Sequence, residues 1–321
     1  MAAELAEPDL TPLTVARAEP IADGISLFEL RRPDGGGLPA FTPGAHVAVR
    51  VPNGLIRKYS LCNDADERDR YCIAVKRETH ANSGSTSLLE RTRAGDILPV
   101  SAPRNTFELS RSPAGYTFIA GGIGITPILA MVRHLQNTGG PPFRLYYCTR
   151  SPAATAFRDE LTAPPFKGKT VIHHDGGDPA RSLDLWPILE RPKGHVFCCG
   201  PRPMMQAVRD FTGHWSPSAV HFEAFSEPAR RQAEDRPFKV RLARSGDVVE
   251  VPIGTTILEA LRDHGLAVPS SCESGTCGTC RTRLIAGEAD HRDLVLAEYE
   301  RADTIMVCVS RAKSEEITID R

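Results

Sequence analysis

At 321 residues, with 41% hydrophobic and 25% charged content, the chain is too long for one ordinary core and suits two or three globular domains. A formal net charge of -1 without a long Lys/Arg block argues against nucleic acid or an anionic membrane as partner. The opening MAAELAEPDL lacks a basic and then apolar leader, and no run approaches the roughly 20 apolar residues of a membrane span, so a cytoplasmic protein is expected.

From about Leu13 to Leu109 the chain alternates short apolar runs (GISLFEL, AHVAVRV, YCIAVKR, DILPV) with Gly, Pro, Asn and Asp turns. That spacing predicts an antiparallel β-barrel, assigned to residues 1–110. Within it, Arg57-Lys58-Tyr59-Ser60 follows a tight Pro52-Asn53-Gly54 turn. By spacing alone, a strand with an exposed charge explains these residues as well as a ligand site does. Further on, a strand through Ala74, Val75 and Lys76 leads to a Gly/Ser/Thr loop and a helix. Gly84, Ser85, Thr86 and Ser87 could bind phosphate through amides and hydroxyls at that helix start, although an ordinary N-cap accounts for some of them.

The next stretch, 111–226, alternates strands (YTFIA, FRLYYC, TVIHH, HVFCC, VHFEAF) with helical segments (PILAMVRHLQN, RPMMQAVRDFTGHW), the pattern of crossover units in a parallel sheet. YTFIA runs into Gly121, Gly122 and Gly124, then Thr126, then Pro127 in a first helical turn. Glycines let backbone approach a phosphate whose charge the helix N-terminus favours. Pro127 stands where the dinucleotide fingerprint has its third glycine, so tight strand-to-helix packing is the competing explanation. A second strand end at Cys199-Gly200-Pro201 strengthens the nucleotide reading, because parallel sheets open a crevice at their strand ends. Asp175 could meet the ribose of NADH, and Arg150 could instead favour the extra phosphate of NADPH; NADH is the expectation. His173 and His174 read as packing residues and Cys198 as a buried cysteine.

SEPARRQAEDRP (226–237) is polar and charged between prolines, and residues 227–237 are assigned as a linker. The last segment, 238–321, should form a small mixed sheet: a hairpin about Ser245-Gly246-Asp247, the amphipathic helix TILEALRDHG, and a final hairpin-like pair, MVCVSR and EEITID. It carries 11 Lys/Arg against 14 Asp/Glu. Nine cysteines, an odd number with no leader, point to metal or redox chemistry rather than disulfides. Cys272, Cys277 and Cys280 are spaced C-x4-C-x2-C, and Cys308 follows after 27 intervening residues, expected within a strand. That is the plant-type 2Fe-2S arrangement. Gly275 and Gly278 between the ligands would let backbone amides turn toward sulfur. Structural zinc is the bland alternative, disfavoured because only one short C-x2-C pair is present. His291 in GEADHRD reads as a surface or packing residue. Hydride leaves a nicotinamide as two electrons while such a cluster accepts one, so an intermediary stable at both stages is required between them, and flavin is the natural candidate.

The segment 238–321 closely resembles the plant-type ferredoxin family, which implies an α+β β-grasp fold and one-electron transfer near about -400 mV. The strings AGGIGITP, CCGP and RKYS resemble the ferredoxin-NADP reductase superfamily. That likeness implies that Gly121 to Thr126 line the NAD pyrophosphate and that Cys199, Gly200 and Pro201 lie near the nicotinamide. It also implies that Arg57 meets the flavin phosphate, Tyr59 lies against the ring and Ser60 reaches its reactive nitrogen. Ala74 to Lys76 would edge the ring, Thr126 would reach it from the nucleotide domain, and Phe225 would shield its other face. Lys58, inside that motif, is a small departure from it and is counted with the flavin-binding residues. Ser60, Thr126 and Cys199 are thus the expected catalytic set. The order barrel, nucleotide domain, ferredoxin closely resembles the phthalate dioxygenase reductase family across essentially the whole chain. Membership would imply FMN, NADH, a 2Fe-2S cluster, a monomer and a Rieske-type terminal oxygenase as electron acceptor. Alternatives are an electron donor to a cytochrome P450 or demethylase, and a non-catalytic redox sensor.

Overall fold

The computed structural model describes residues 9–78, 83–225 and 235–321. The chain divides after His221 into two compact units.

The larger unit begins with β1 (Leu10–Ala22), β2 (Ile25–Arg31), β3 (Ala45–Arg50), β4 (Ile56–Ser60), β5 (Tyr71–Lys76), helix α1 (Gly84–Arg91), β6 (Ile97–Ser101) and the short β7 (Arg104–Asn105). Alternating apolar residues such as Val47, Val49, Phe28 and Ile73 turn inward and are buried together. The strands pair antiparallel in the order β4-β3-β6-β1-β2-β5, with β7 on β3. A bridge between Leu61 and Ile73 joins the two end strands and closes the barrel expected from the turn spacing.

In the same unit follow β8 (Tyr116–Gly121), α2 (Ile125–Asn137), β9 (Phe143–Thr149), α3 (Arg158–Thr162), β10 (Thr170–His174), α4 (Trp186–Leu189), β11 (His195–Cys199) and α5 (Arg202–Phe211), and β12 (Val220–Glu223) spans the division. The sheet order is β10-β9-β8-β11-β12, and β8 lies parallel to both β9 and β11. The chain therefore reverses its direction of travel across the sheet between β8 and β11, where crossover sheets open a crevice. Phe118, Leu145 and Phe197 pack against Ile125, Ile128 and Val132 of α2. Arg133 on α2 reaches back to the barrel: it donates to the carbonyl of Cys62 and, through two nitrogens, to Glu160 at 2.8 and 2.6 Å.

The smaller unit contains β13 (Phe238–Leu242), β14 (Val248–Val251), α6 (Ile257–Asp263), β15 (Arg281–Ala286), β16 (Ala289–Asp290), β17 (Thr304–Met306), β18 (Arg311–Ala312) and β19 (Glu316–Ile319). Its main sheet runs β14-β13-β19-β15-β17, with β13 and β19 parallel. One helix packs on this mixed sheet, as in a β-grasp. The hairpin about Gly246 forms, and α6 starts with a reciprocal Thr256/Glu259 capping box.

Two expectations fail here. MVCVSR and EEITID do not pair with each other: β17 pairs with β15, whereas β19 lies between β13 and β15. Cys308 is not in a strand but in the turn that follows β17, closed by amides of Val309 and Ser310 on the Met306 carbonyl. A strand would alternate its side chains between faces, whereas the turn releases sulfur from that constraint. Most of the proposed linker, residues 226–234, lies outside the described residues. Its end is anchored, since the Asp235 side chain is only 1% exposed and pairs with Arg292 at 2.5 Å.

Among the described residues, no helix is long and apolar enough to cross a membrane.

Candidate functional site

Three groups of side chains bear on function, and the fold places each at the end of regular elements. The first lies on the barrel. Arg57, Lys58, Tyr59 and Ser60 occupy β4, paired in register with β3 from Val49 to His46. Ala74, Val75 and Lys76 end β5, brought beside β4 by the Leu61–Ile73 closure. Helix α1 starts with Gly84, Ser85, Thr86 and Ser87, all buried. A β-carbon on Gly84 would sit 2.6 Å from Cγ of Arg57, so the Arg57 side chain lies across the first turn of α1 and only glycine admits it.

The N-cap is Ser83, whose Oγ accepts from the Thr86 amide at 3.1 Å. Capping therefore falls to a residue the sequence reading left out, and the hydroxyls inside the turn have other uses. Ser85 accepts from the Glu78 amide at 3.3 Å, while Oγ of Ser87 and the hydroxyl of Tyr59 are buried without a partner. Orphaned polar atoms beside a guanidinium and a helix start are what a flavin phosphate and ring would satisfy. Burial pushes the Tyr59 hydroxyl well above its ordinary range, so it stays protonated and can donate. Lys58 is exposed and projects from β4 away from this group.

The second group is the crevice between β8 and β11. A β-carbon on Gly124 would fall 2.2 Å from the Cys199 carbonyl oxygen, and one on Gly121 would fall 2.4 Å from Cδ of Pro201. The glycines thus serve first to bring the two strand ends into backbone contact, the packing role weighed in the sequence. Gly122, at φ +53, is the open position of the turn, with Lys76 Nζ 3.9 Å from where its β-carbon would be. Lys76 is held below the ordinary lysine range first by burial and then by the nearby charge of Arg150. Lys76 therefore stands at the glycine turn within reach of the Arg150 charge, and spacing in the sequence gave no hint of that meeting. Thr126 is buried and donates to the Ile123 carbonyl at 3.1 Å. Cys199 is buried, and burial drives the neighbouring Cys198 thiol upward, as expected of a packed cysteine. Asp175 starts the loop after β10, and its Oδ1 accepts from the Gly177 amide at 2.7 Å, which sets that turn beside the stem of Arg150.

The third group is the loop between α6 and β15. Gly275 (φ +76), Gly278 (φ +82) and the non-glycine Glu273 (φ +55) all adopt left-handed backbone. Glu273 is held there by Arg262 of α6 at 2.8 Å and by Ser270 at 2.8 Å. These turns aim amides at sulfur: Ser274 and Thr276 donate to Cys272 Sγ at 3.4 and 3.5 Å, and Cys272 donates to Cys277 Sγ at 3.4 Å. The nearby Gly275 amide favours the thiolate form of Cys308, though Cys280 and burial outweigh it. Hydrogen bonding between the paired sulfurs draws the Cys272 thiol down to about 4 and pushes Cys277 up, and it likewise lowers Cys280 and raises Cys308, so one sulfur of each pair is favoured as thiolate. A single zinc ion with bonds of about 2.3 Å would need sulfurs roughly 3.8 Å apart. No three of these sulfurs lie within 4.8 Å of one another; among the described residues only Asp64, Asp66 and His134 converge so tightly. The wider spacing suits a two-iron cluster.

Comparison with known proteins bears on all three groups. A 2Fe-2S iron-sulfur cluster binding domain model matches residues 240–313, and an oxidoreductase NAD-binding domain model matches 118–210. The chain is 55% identical over 312 residues to the phthalate 4,5-dioxygenase oxygenase reductase subunit of Pseudomonas putida, covering 97% of this chain and 96% of that protein. It is 52% identical over 310 residues to the phthalate dioxygenase reductase of Burkholderia cepacia, covering 96% of each. The chain belongs to the phthalate dioxygenase reductase family. A solved phthalate dioxygenase reductase superposes with a TM-score of 0.71 at 51% identity, over 97% of this chain and 98% of that one. Flavin barrel, nicotinamide domain and C-terminal ferredoxin domain are thus the family architecture, and its cofactors are FMN, NADH and a 2Fe-2S cluster. Phe225, expected over the flavin, follows β12 and is 42% exposed.

Proposed function

We propose that the chain is the reductase component of a bacterial Rieske-type aromatic-ring oxygenase system. What carries this reading is full-length identity of 55% to a phthalate dioxygenase reductase subunit in a chain that keeps both the glycine crevice and the four-cysteine loop. When bound, NADH supplies a hydride, FMN accepts two electrons and releases them singly, and the 2Fe-2S cluster carries one at a time.

The protein's own part is positional. Arg57 and the first turn of α1 (Gly84 to Ser87) bind the flavin phosphate, while Tyr59, Ser60, Ala74 and Val75 frame the ring. Gly121, Gly122 and Gly124, with Lys76 and Arg150, take the pyrophosphate. Thr126, Cys199, Gly200 and Pro201 place the nicotinamide, and Asp175 with its turn meets the ribose. Cys272, Cys277, Cys280 and Cys308 hold the cluster. No acid or base has to act at the reacting atoms. All parts lie in one polypeptide, which supports a monomer, and dependence on NADH supports a cytoplasmic setting.

Support for the acceptor comes from relatives named as a phthalate 4,5-dioxygenase oxygenase reductase subunit and as phenoxybenzoate dioxygenase subunit beta. A second reading has its own support: a self-sufficient cytochrome P450 monooxygenase matches 97% of this chain at 35% identity, while this chain covers 41% of it. Turnover assays decide between them. NADH consumption coupled to product formation with a Rieske oxygenase is expected; coupling only with a P450 supports the second reading, and failure to reduce any external acceptor contradicts both.

A further inference from the structure

The end of the nucleotide sheet away from the glycine crevice brings together His195, His221 and Ser110, none of which serves flavin, nicotinamide or cluster. His195 opens β11, whose last residue, Cys199, reaches the crevice about 13 Å further along the strand. His221 lies on the neighbouring β12, in the part that belongs to the larger unit, and Ser110 lies in the segment that leads from the barrel into β8. Nδ1 of His195 is 3.1 Å from Nε2 of His221, and Oγ of Ser110 is 2.9 Å from the first and 3.2 Å from the second. These positions are fixed from outside the group. The His221 ring stacks on Phe197 at 4.3 Å and 14°, and the Tyr116 hydroxyl donates to the Ser110 carbonyl at 3.0 Å while accepting the Ser112 amide at 3.1 Å.

The hydrogens do not suffice for this triangle. A ring nitrogen is either an N–H donor or a lone-pair acceptor, never both, and a hydroxyl brings one hydrogen. With one nitrogen of each kind, two hydrogens serve three contacts. With two acceptors a single hydrogen is left, and with two donors the nitrogens meet hydrogen to hydrogen. Every neutral arrangement therefore leaves a contact unsatisfied. An added proton is disfavoured too, because burial lowers His195, and burial with His195 beside it lowers His221 to about 4.

Two neutral imidazoles with converging lone pairs are instead the ligands that borderline divalent ions take. Zinc–nitrogen bonds of about 2.0–2.1 Å at a tetrahedral centre set two nitrogens roughly 3.3 Å apart, close to the 3.1 Å found here. All three side chains are half-buried, so the remaining coordination position can reach water.

We propose that Nδ1 of His195, Nε2 of His221 and Oγ of Ser110 bind a divalent transition-metal ion of the zinc class, which ties the segment leaving the barrel to strands β11 and β12. An ion held there stabilises the folded unit by mass action and leaves NADH use unchanged, because the crevice lies at the opposite strand ends.

The test is calorimetric titration of the full-length holoprotein with Zn2+, followed by zinc and iron analysis, a thermal melt and NADH–ferricyanide turnover. The wild type should take up one zinc with its iron and turnover unchanged and its Tm raised. His195→Gln and His221→Gln should each weaken zinc binding at least about tenfold, and Ser110→Asp, which offers a carboxylate, should tighten it at least about tenfold. Asp64, Asp66 and His134 are a rival group of ligand atoms, within 4.8 Å of one another, so His134→Gln is titrated alongside and should keep wild-type affinity. If a histidine variant fails to fold, Ser110→Asp decides, and wild-type affinity there overturns the proposal. It is equally overturned if the wild type takes up no zinc, if zinc enters only as iron leaves, if both histidine variants bind as the wild type does, or if binding is lost in His134→Gln instead.

Discussion

The backbone of Gly124 rests on that of Cys199, with room for a hydrogen and nothing larger: a β-carbon would come within 2.2 Å of the Cys199 carbonyl oxygen. This contact joins the start of α2 to the end of β11 and defines the floor of the nucleotide crevice.

Gly124→Ala should therefore push α2 and β11 apart. A carbonyl on a central strand cannot yield as a flexible side chain does, so the variant should raise the KM for NADH at least about tenfold and lower Tm by several degrees, as expected for overpacking of about 1–3 kcal/mol. Steady-state kinetics and a thermal melt check both, and an unchanged KM and Tm would remove the contact from the account.

Arg57 is expected to anchor flavin rather than fold. It lies across the first turn of α1, where Gly84 leaves space for it, and truncating it removes a charge-assisted contact worth about 1.5–3 kcal/mol. Arg57→Ala should weaken FMN retention about tenfold to a hundredfold, measured by flavin content after gel filtration, with Tm of the flavin-free protein little changed. Full flavin retention would contradict the assignment.

Acid should destabilise the larger unit through two half-buried histidines. Burial, with Lys58 and Arg104 nearby, lowers His46 to about 4, and burial with His195 beside it lowers His221 to about 4. Both are depressed from 6.5, so their stabilising contribution is complete above that pH and is lost as pH falls from about 6.5 to about 4. For His46 the slope is at most about 1.4 kcal/mol per pH unit. His46→Gln should flatten the fall in Tm between pH 6.5 and 4; an equal slope in the variant would count against it.

Asp235 shows why part of the chain could not be read in advance. In the sequence it sits in a charged, proline-bounded stretch with no apolar period. In the structure it is buried between Arg292, at 2.5 Å, and Arg311, at 3.8 Å, partners more than 50 residues away. Asp235→Ala leaves two arginines with reduced compensation and should destabilise the smaller unit by about 3–5 kcal/mol, visible as a lower denaturant midpoint for iron-sulfur bleaching. No shift in that midpoint would contradict the anchor.

What the sequence made legible depended on local pattern. Barrel strands, the parallel sheet, helix α6 and the hairpin at Gly246 each declare themselves within a dozen residues, by alternation, helical period or turn chemistry. Pairings between distant strands do not, which is why MVCVSR and EEITID were expected to be partners when β19 inserts between β13 and β15. The cysteine spacing announced a cluster, yet the turn that carries Cys308 arises only from tertiary contact. At the barrel, the glycine and serines of α1 were visible, while the capping role of Ser83 and the meeting of Lys76 with Arg150 were not.

The central claim is that electrons run from NADH through flavin to a cluster on the four cysteines. Its most direct test is an anaerobic absorbance titration with NADH of the wild-type protein and of Cys272→Ser. In the wild type the overlapping flavin and iron-sulfur bands should both bleach, whereas in Cys272→Ser the flavin should bleach at the wild-type rate while the iron-sulfur band is missing or altered. Loss of flavin reduction together with the cluster, or a colourless wild-type protein holding zinc, would contradict it.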